Sequence, residues 1–153
     1  MSSDISQSKQ ILHLDGYWPY QITVLADRIA RRTGKIVKES GLNLSQWRVL
    51  AAIADKPGRT SVEVVTITPM DKGIVSRATK ALLSMGFIRR QASQIDGRLS
   101  HLHLTNQGWE MYQKLMPQIE EVLQPADDCL TPQGQQQLAD SLTKLMHLLP
   151  DLR

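Results

Sequence analysis

The 153-residue chain has one cysteine, Cys129, so neither an intramolecular disulfide nor a multi-cysteine zinc site is available to it. Nor does any apolar run approach the roughly 20 residues that a membrane-spanning helix needs. The opening stretch, residues 1–10, is polar and carries no apolar segment of the secretion-signal kind, which makes a cytoplasmic location the expectation. No glycine-rich loop follows a strand-like segment, and the lone cysteine has no evident base, so the chain announces no phosphate or nucleophilic chemistry. Asp127 and Asp128 beside Cys129 disfavour a thiolate and mark a passive thiol. Internal repeats and low-complexity tracts are absent too. What remains is a non-enzymatic chain without a cofactor, able to bury one core as a single domain or two small intertwined lobes.

The net charge of +3 is modest, but its distribution is not even. Residues 42–105 hold nine Lys and Arg against four Asp and Glu, whereas 106–153 hold three against seven. A basic middle is what neutralising phosphates requires, and an acidic flank suits some other task.

Helical periodicity accounts for most of the chain. Pro19 suits a first turn, and Ile22, Leu25, Ile29 and Ile36 or Val37 recur at helical spacing until Gly41. A second helix opens at Asn43 or Leu44 and stops at Lys56-Pro57-Gly58. Thr60 or Ser61 caps a short third helix, with Glu63 placed as the partner in a capping box. The fourth, Met70 to Met85, turns Ile74, Val75, Ala78, Leu82 and Leu83 inward, leaves Lys72, Ser76, Arg77, Thr79 and Lys80 outside, and ends at Gly86. Thr105 caps a fifth helix striped by Trp109, Tyr112, Leu115, Met116, Ile119, Val122 and Leu123, with a kink expected at Pro117. After a break near residues 127–130, Thr131-Pro132 starts a sixth, carrying Leu138, Leu142, Leu145, Met146 and Leu149. Two apolar stripes outside the central helices need a cover, and a second copy of the chain is the simplest one.

Between the fourth and fifth helices lies a β-hairpin. Phe87 to Gln91 is strand-like, Asp96-Gly97 is a tight-turn dipeptide in which glycine accepts positive φ and Asp96 bonds its own backbone, and Ser100, Leu102 and Leu104 alternate with His101 and His103. That is the wing of a winged helix-turn-helix DNA reader, with Arg98 past the turn and able to enter a minor groove. Asp96 has a structural task, pairing with a nearby arginine. In the fourth helix Lys72, Ser76, Arg77 and Lys80 form a polar stripe, and Arg77 either forks onto guanine O6 and N7 or pairs with Asp96 or a phosphate and reads no base. Thr60 and Ser61 cap their helix first and touch a phosphate second. His101 and His103 share a face, more consistent with a phosphate or solvent role than with a metal site.

Leu44-Ser-Gln-Trp-Arg-Val-Leu50, Met70-Asp-Lys-Gly-Ile-Val-Ser-Arg77, Leu82 through Gly86-Phe-Ile-Arg-Arg90, and Asp96-Gly-Arg98 with Leu104-Thr105 occur in an order and spacing that resemble the MarR family of bacterial transcription regulators. The resemblance covers about Trp18 to Leu149, although the third helix, Val62 to Ile67, lacks the Leu-Ala core typical of the family. It implies a mainly α fold with a small β-wing. Residues 1–41 then form an N-terminal segment and first helix in a dimerisation lobe, 42–105 the winged helix-turn-helix domain, and 106–153 the C-terminal helices of that lobe. It also implies a homodimer on a pseudo-palindromic duplex, released by a small aromatic carboxylate or phenol. Tyr17, Trp18, Tyr20 and Trp47, with His13, Arg28 and Arg48 close in sequence, form either a ring-stacking, carboxylate-neutralising pocket or an aromatic core with snorkelling arginines. A winged-helix regulator or architectural protein without a small ligand, or one answering to redox, is the alternative.

Overall fold

The computed structural model describes residues 10–153, so the first nine residues of the expected 1–41 segment lie outside the described residues. After a 3-10 turn at Leu14–Gly16 come α1 (Trp18–Glu39), α2 (Leu44–Asp55), α3 (Ser61–Ile67), α4 (Lys72–Ser84), β1 (Ile88–Ala92), β2 (Ser100–Leu104), α5 (Asn106–Asp128) and α6 (Pro132–Leu148). The helix boundaries are chemical. Asn43 and Thr60 each complete a capping box with Gln46 and Glu63. The side chains of Asp71, Thr105 and Thr131 accept from Ile74, Gly108 and Gly134 backbone N–H groups. At the other ends, Gly41 (φ 83°) and Gly86 (φ 76°) follow α1 and α4 in the left-handed region. Leu42 and Phe87 N–H groups then reach back to the Val37 and Leu82 carbonyls, closing two Schellman motifs.

The core lies among α2, α4 and the β-hairpin, where Leu50, Ile53, Met70, Leu82 and Leu102 are fully buried, and Leu115 of α5 and Val37 of α1 extend it. α5 runs as one helix through Pro117, the expected kink position, and through Pro125, so the break before α6 is shorter than expected. Gly108 lets α5 start against the end of α4, since a Cβ there would stand 2.0 Å from the Phe87 carbonyl oxygen. No residue of α6 is buried, and Ile22, Leu25, Ile29, Leu138, Leu142 and Met146 are all exposed. Among the described residues of one chain, the exposed apolar positions of α1 and α6 therefore have no cover.

Three local expectations need correction. Thr79 is not on the outer face of α4: it is 1% exposed, and its hydroxyl has no hydrogen-bond partner among the described residues. The wing is not a two-residue turn, because the strands pair only from Ile88↔Leu104 to Ala92↔Ser100 and residues 93–99 form the loop. Among the described residues, positive φ occurs at Gly41, Gly58 and Gly86 and not at Gly97. Finally, His101 and His103 do not form a solvent face. Gly58 N–H donates to the Leu102 carbonyl and Leu102 N–H to the Arg59 carbonyl, both at 2.9 Å, so residues 58–59 hydrogen-bond along the outer edge of β2. His101 Nδ1 lies 2.7 Å from the Gly58 carbonyl oxygen. His103 packs beside Gly58, and burial foremost, then Arg89 and His101, holds its imidazole below the ordinary histidine value.

Candidate nucleic-acid interface

α4 presents a capped N-terminus and a polar outer face. Asp71 Oδ1 accepts from Ile74 N–H at 2.7 Å, which fixes the first turn. Lys72, Ser76, Arg77 and Lys80 are exposed, while Val75, Ala78 and Leu82 are buried beneath them. The Arg77 guanidinium folds back toward the helix start over Gly73, where a Cβ would stand 3.4 Å from Nη1. Arg77 also lines a cleft against the start of α2, with Asn43, Ser45 and Gln46. A capped helix N-terminus with cationic side chains around it suits an approach to a polyanion.

Between α3 and α4 runs a groove of about 370 Å³, lined by Ser61, Val62, Lys72, Ser76, Thr79 and Arg90. Arg90, on β1, donates to Ser100 Oγ at 3.1 Å and brings a charge from the wing sheet to the reading helix. Its only trace in the sequence is the Arg89-Arg90 doublet, since alternation along a strand sends one of two neighbours to each face. Thr60 is committed to its helix: its Oγ1 accepts from Glu63 N–H at 3.3 Å and Glu63 Oε2 accepts from Thr60 N–H at 2.7 Å. That backbone hydrogen bond is the largest influence holding the Glu63 carboxyl below its ordinary value. Ser61 is half-buried at the groove wall.

The wing loop is held by its own side chains. Ser93 Oγ accepts from Ile95 and Asp96 N–H at 3.2 and 3.3 Å. Asp96 Oδ1 accepts from Arg98 N–H at 3.0 Å, and Leu99 N–H donates to the Asp96 carbonyl at 3.1 Å. Asp96 thus shapes the wing as expected, but through backbone N–H groups: among the described residues it forms no ion pair with an arginine. The result is a preordered tip on which the Arg98 side chain is exposed.

Of the seven residues grouped as an effector pocket, Trp47 and Arg48 come together at one cavity, and Arg28 lines another. Trp47 is 7% exposed and stacks on Tyr112, with centroids 5.6 Å apart and planes at 12°, while Trp109 meets Tyr112 edge-on. With Arg48 it borders a cavity of about 350 Å³ between α1 and α2, reached by Ile29 and Thr33. Arg28 lines a different cavity, against Val122 and Leu123 of α5. His13, Tyr17 and Trp18 are exposed at the start of α1, and Trp18 lies about 22 Å along the helix from Thr33 at 1.5 Å per residue. Trp47 is therefore core on one side and cavity wall on the other.

Residues 40–99 match the sequence model of the MarR family. The chain is 25% identical over 126 residues to the HTH-type transcriptional regulator BilQ of Clostridium symbiosum, covering 82% of this chain and 88% of that protein. It is 26% identical over 117 residues to the homoprotocatechuate degradative operon repressor of Escherichia coli, covering 74% and 76%. The crystal structure of a MarR-family transcriptional regulator from Silicibacter pomeroyi superposes with a TM-score of 0.84 at 25% identity, covering 92% of this chain and 97% of that one. The capped α4, the two-stranded wing and these likenesses agree: residues 40–99 match the MarR family, and along most of its length the chain is similar to winged-helix transcriptional regulators of that family.

Proposed function

We propose that this protein is a cytoplasmic homodimeric repressor that binds a pseudo-palindromic operator and is released by a small aromatic carboxylate or phenol. The observation that carries the reading is the exposed face of α4, where Lys72, Ser76, Arg77 and Lys80 stand outward and Arg90 enters the adjoining groove. In this reading α4 lies in the major groove, with Arg77 at a base edge or phosphate, and Arg98 enters the minor groove from a tip that Asp96 and Gly97 shape. Thr60 and Ser61 lie at a phosphate. Residues 42–105 are the reader. Residues 1–41 and 106–153 build the dimer lobe, whose uncovered apolar stripes on α1 and α6 a second copy buries. Two readers joined by such a lobe meet successive major grooves about one turn apart.

The cavity between α1 and α2 is the proposed effector site, with Trp47 as a flat apolar wall and Arg48 as counter-charge. It joins the lobe to the reader, so an occupant that favours one spacing of the two readers shifts the population away from DNA. The E. coli relative represses a homoprotocatechuate degradative operon, and homoprotocatechuate is an aromatic acid, which supports this ligand class. The experiment is fluorescence anisotropy of the full chain on duplex DNA from upstream of its own coding sequence, with and without a panel of aromatic carboxylic acids. Nanomolar binding relieved by one acid supports the reading. Binding untouched by any acid overturns the effector half, and binding no tighter than to unrelated DNA overturns the operator half.

A further inference from the structure

The turn between α3 and α4 leaves three backbone carbonyls without a helical partner. Val65 would be bonded by the N–H four residues on, but that residue is Pro69, which has none. Met70 would be bonded by Ile74, whose N–H is spent on Asp71 Oδ1. Thr68 lies at the C-terminal boundary of α3 in extended conformation, and its hydroxyl satisfies a fourth carbonyl, that of Val64, at 2.7 Å. One distant side chain takes the three that remain. Arg153 Nη1 donates to the Met70 carbonyl at 2.6 Å, and its Nη2 donates to those of Thr68 and Val65 at 2.9 and 3.3 Å. Asp151 orients the fork, accepting from Arg153 Nε at 2.9 Å and from Nη2 at 2.6 Å. These hydrogen bonds, more than charge, pull the Asp151 carboxyl down to about 2, so the clamp is ionised throughout the neutral range.

We infer that Arg153 is a positioning residue for DNA recognition, a guanidinium clamp that fixes α4 against α3 through the Val65, Thr68 and Met70 carbonyls. The planar fork of arginine satisfies several acceptors at once, whereas an ammonium is a point donor. The Met70 carbonyl directly precedes Asp71, the cap of α4, and those of Thr68 and Val65 lead into it, so their placement sets the angle at which Lys72, Ser76 and Arg77 meet a groove. The clamp also ties the reader to the end of α6 by a short tail, across more than 80 residues of sequence. The inference rests on the DNA-reading role proposed above, and goes beyond it in assigning specificity to a residue outside the reader domain.

The test compares the parent, Arg153→Ala, Arg153→Lys and Asp151→Asn on the upstream duplex and on poly(dI-dC), at several salt concentrations. If Arg153 positions α4, Arg153→Ala weakens the upstream duplex roughly tenfold, about what one mismatched base pair costs. It leaves poly(dI-dC) affinity and the salt slope unchanged, since no phosphate contact is lost. Arg153→Lys recovers only part of the loss, and Asp151→Asn, which keeps the guanidinium but loosens its hold, gives a smaller loss of the same kind. Equal loss on both DNAs with a shallower salt slope would mean that Arg153 touches phosphate, and overturns the inference, as does parent-like binding by Arg153→Ala. Failure of the parent itself to prefer the upstream duplex overturns the DNA reading instead.

Discussion

Replacing Thr79 by valine is expected to stabilise the protein without touching its DNA affinity. The Thr79 side chain is 1% exposed between α3 and α4, and its hydroxyl lacks a partner, in contrast to Thr68, whose hydroxyl caps a carbonyl. A buried hydroxyl that forfeits its water without regaining a bond costs about 1–3 kcal/mol. Valine has the same branched shape and nearly the same helix propensity, so that penalty is removed with little opposing cost. A gain of about 1–2 kcal/mol corresponds to about 2–8 °C in Tm for a chain of this size. The assay is thermal and urea unfolding of parent and variant at one fixed concentration, because an oligomer's Tm depends on concentration. A neutral or lowered Tm would refute the reasoning by showing that the hydroxyl is satisfied. A change in operator affinity would refute the placement of Thr79 behind the reading face.

Arg77→Ala and Arg98→Ala are each expected to weaken operator binding by about 1–3 kcal/mol with the oligomeric state unchanged in analytical ultracentrifugation, and to flatten the salt dependence where a phosphate contact is lost. Gly108→Ala is expected to cost about 3 kcal/mol or more, because its Cβ would stand 2.0 Å from the Phe87 carbonyl oxygen and backbone cannot swing aside as a side chain does; urea unfolding measures this. His103 is held below its unfolded-state value by burial, then by Arg89 and His101. The unfolded chain therefore binds that proton first, and stability that is complete above about pH 6.5 falls as pH drops below it. In His103→Gln, Tm measured between pH 7 and 5 is expected to fall less than in the parent.

The residues proposed to meet DNA were legible in the sequence because they obey local rules. Capping chemistry at Asn43, Thr60, Thr105 and Thr131 needs only three or four residues of context, and so do the glycines that end α1 and α4. On a helix placed this way, the polar stripe follows from periodicity. Thr79 was misplaced although the same periodicity marks it as inward, three residues before Leu82 and four after Val75; its polarity outweighed its position. The grouped aromatics differ: nearness in sequence says little about a helix in which Trp18 lies two or more turns before Ala26 to Thr33, the stretch that borders the Trp47 cavity. The Gly58–Arg59 pairing with Leu102 and the reach of Arg153 to the α3–α4 turn have no local signature at all, since each joins segments more than 40 residues apart. Both are contacts to backbone carbonyls and N–H groups, which every residue carries and no pattern distinguishes. The face proposed to meet DNA can thus be read from periodicity, while the contacts proposed to set its angle emerge only once the chain is folded.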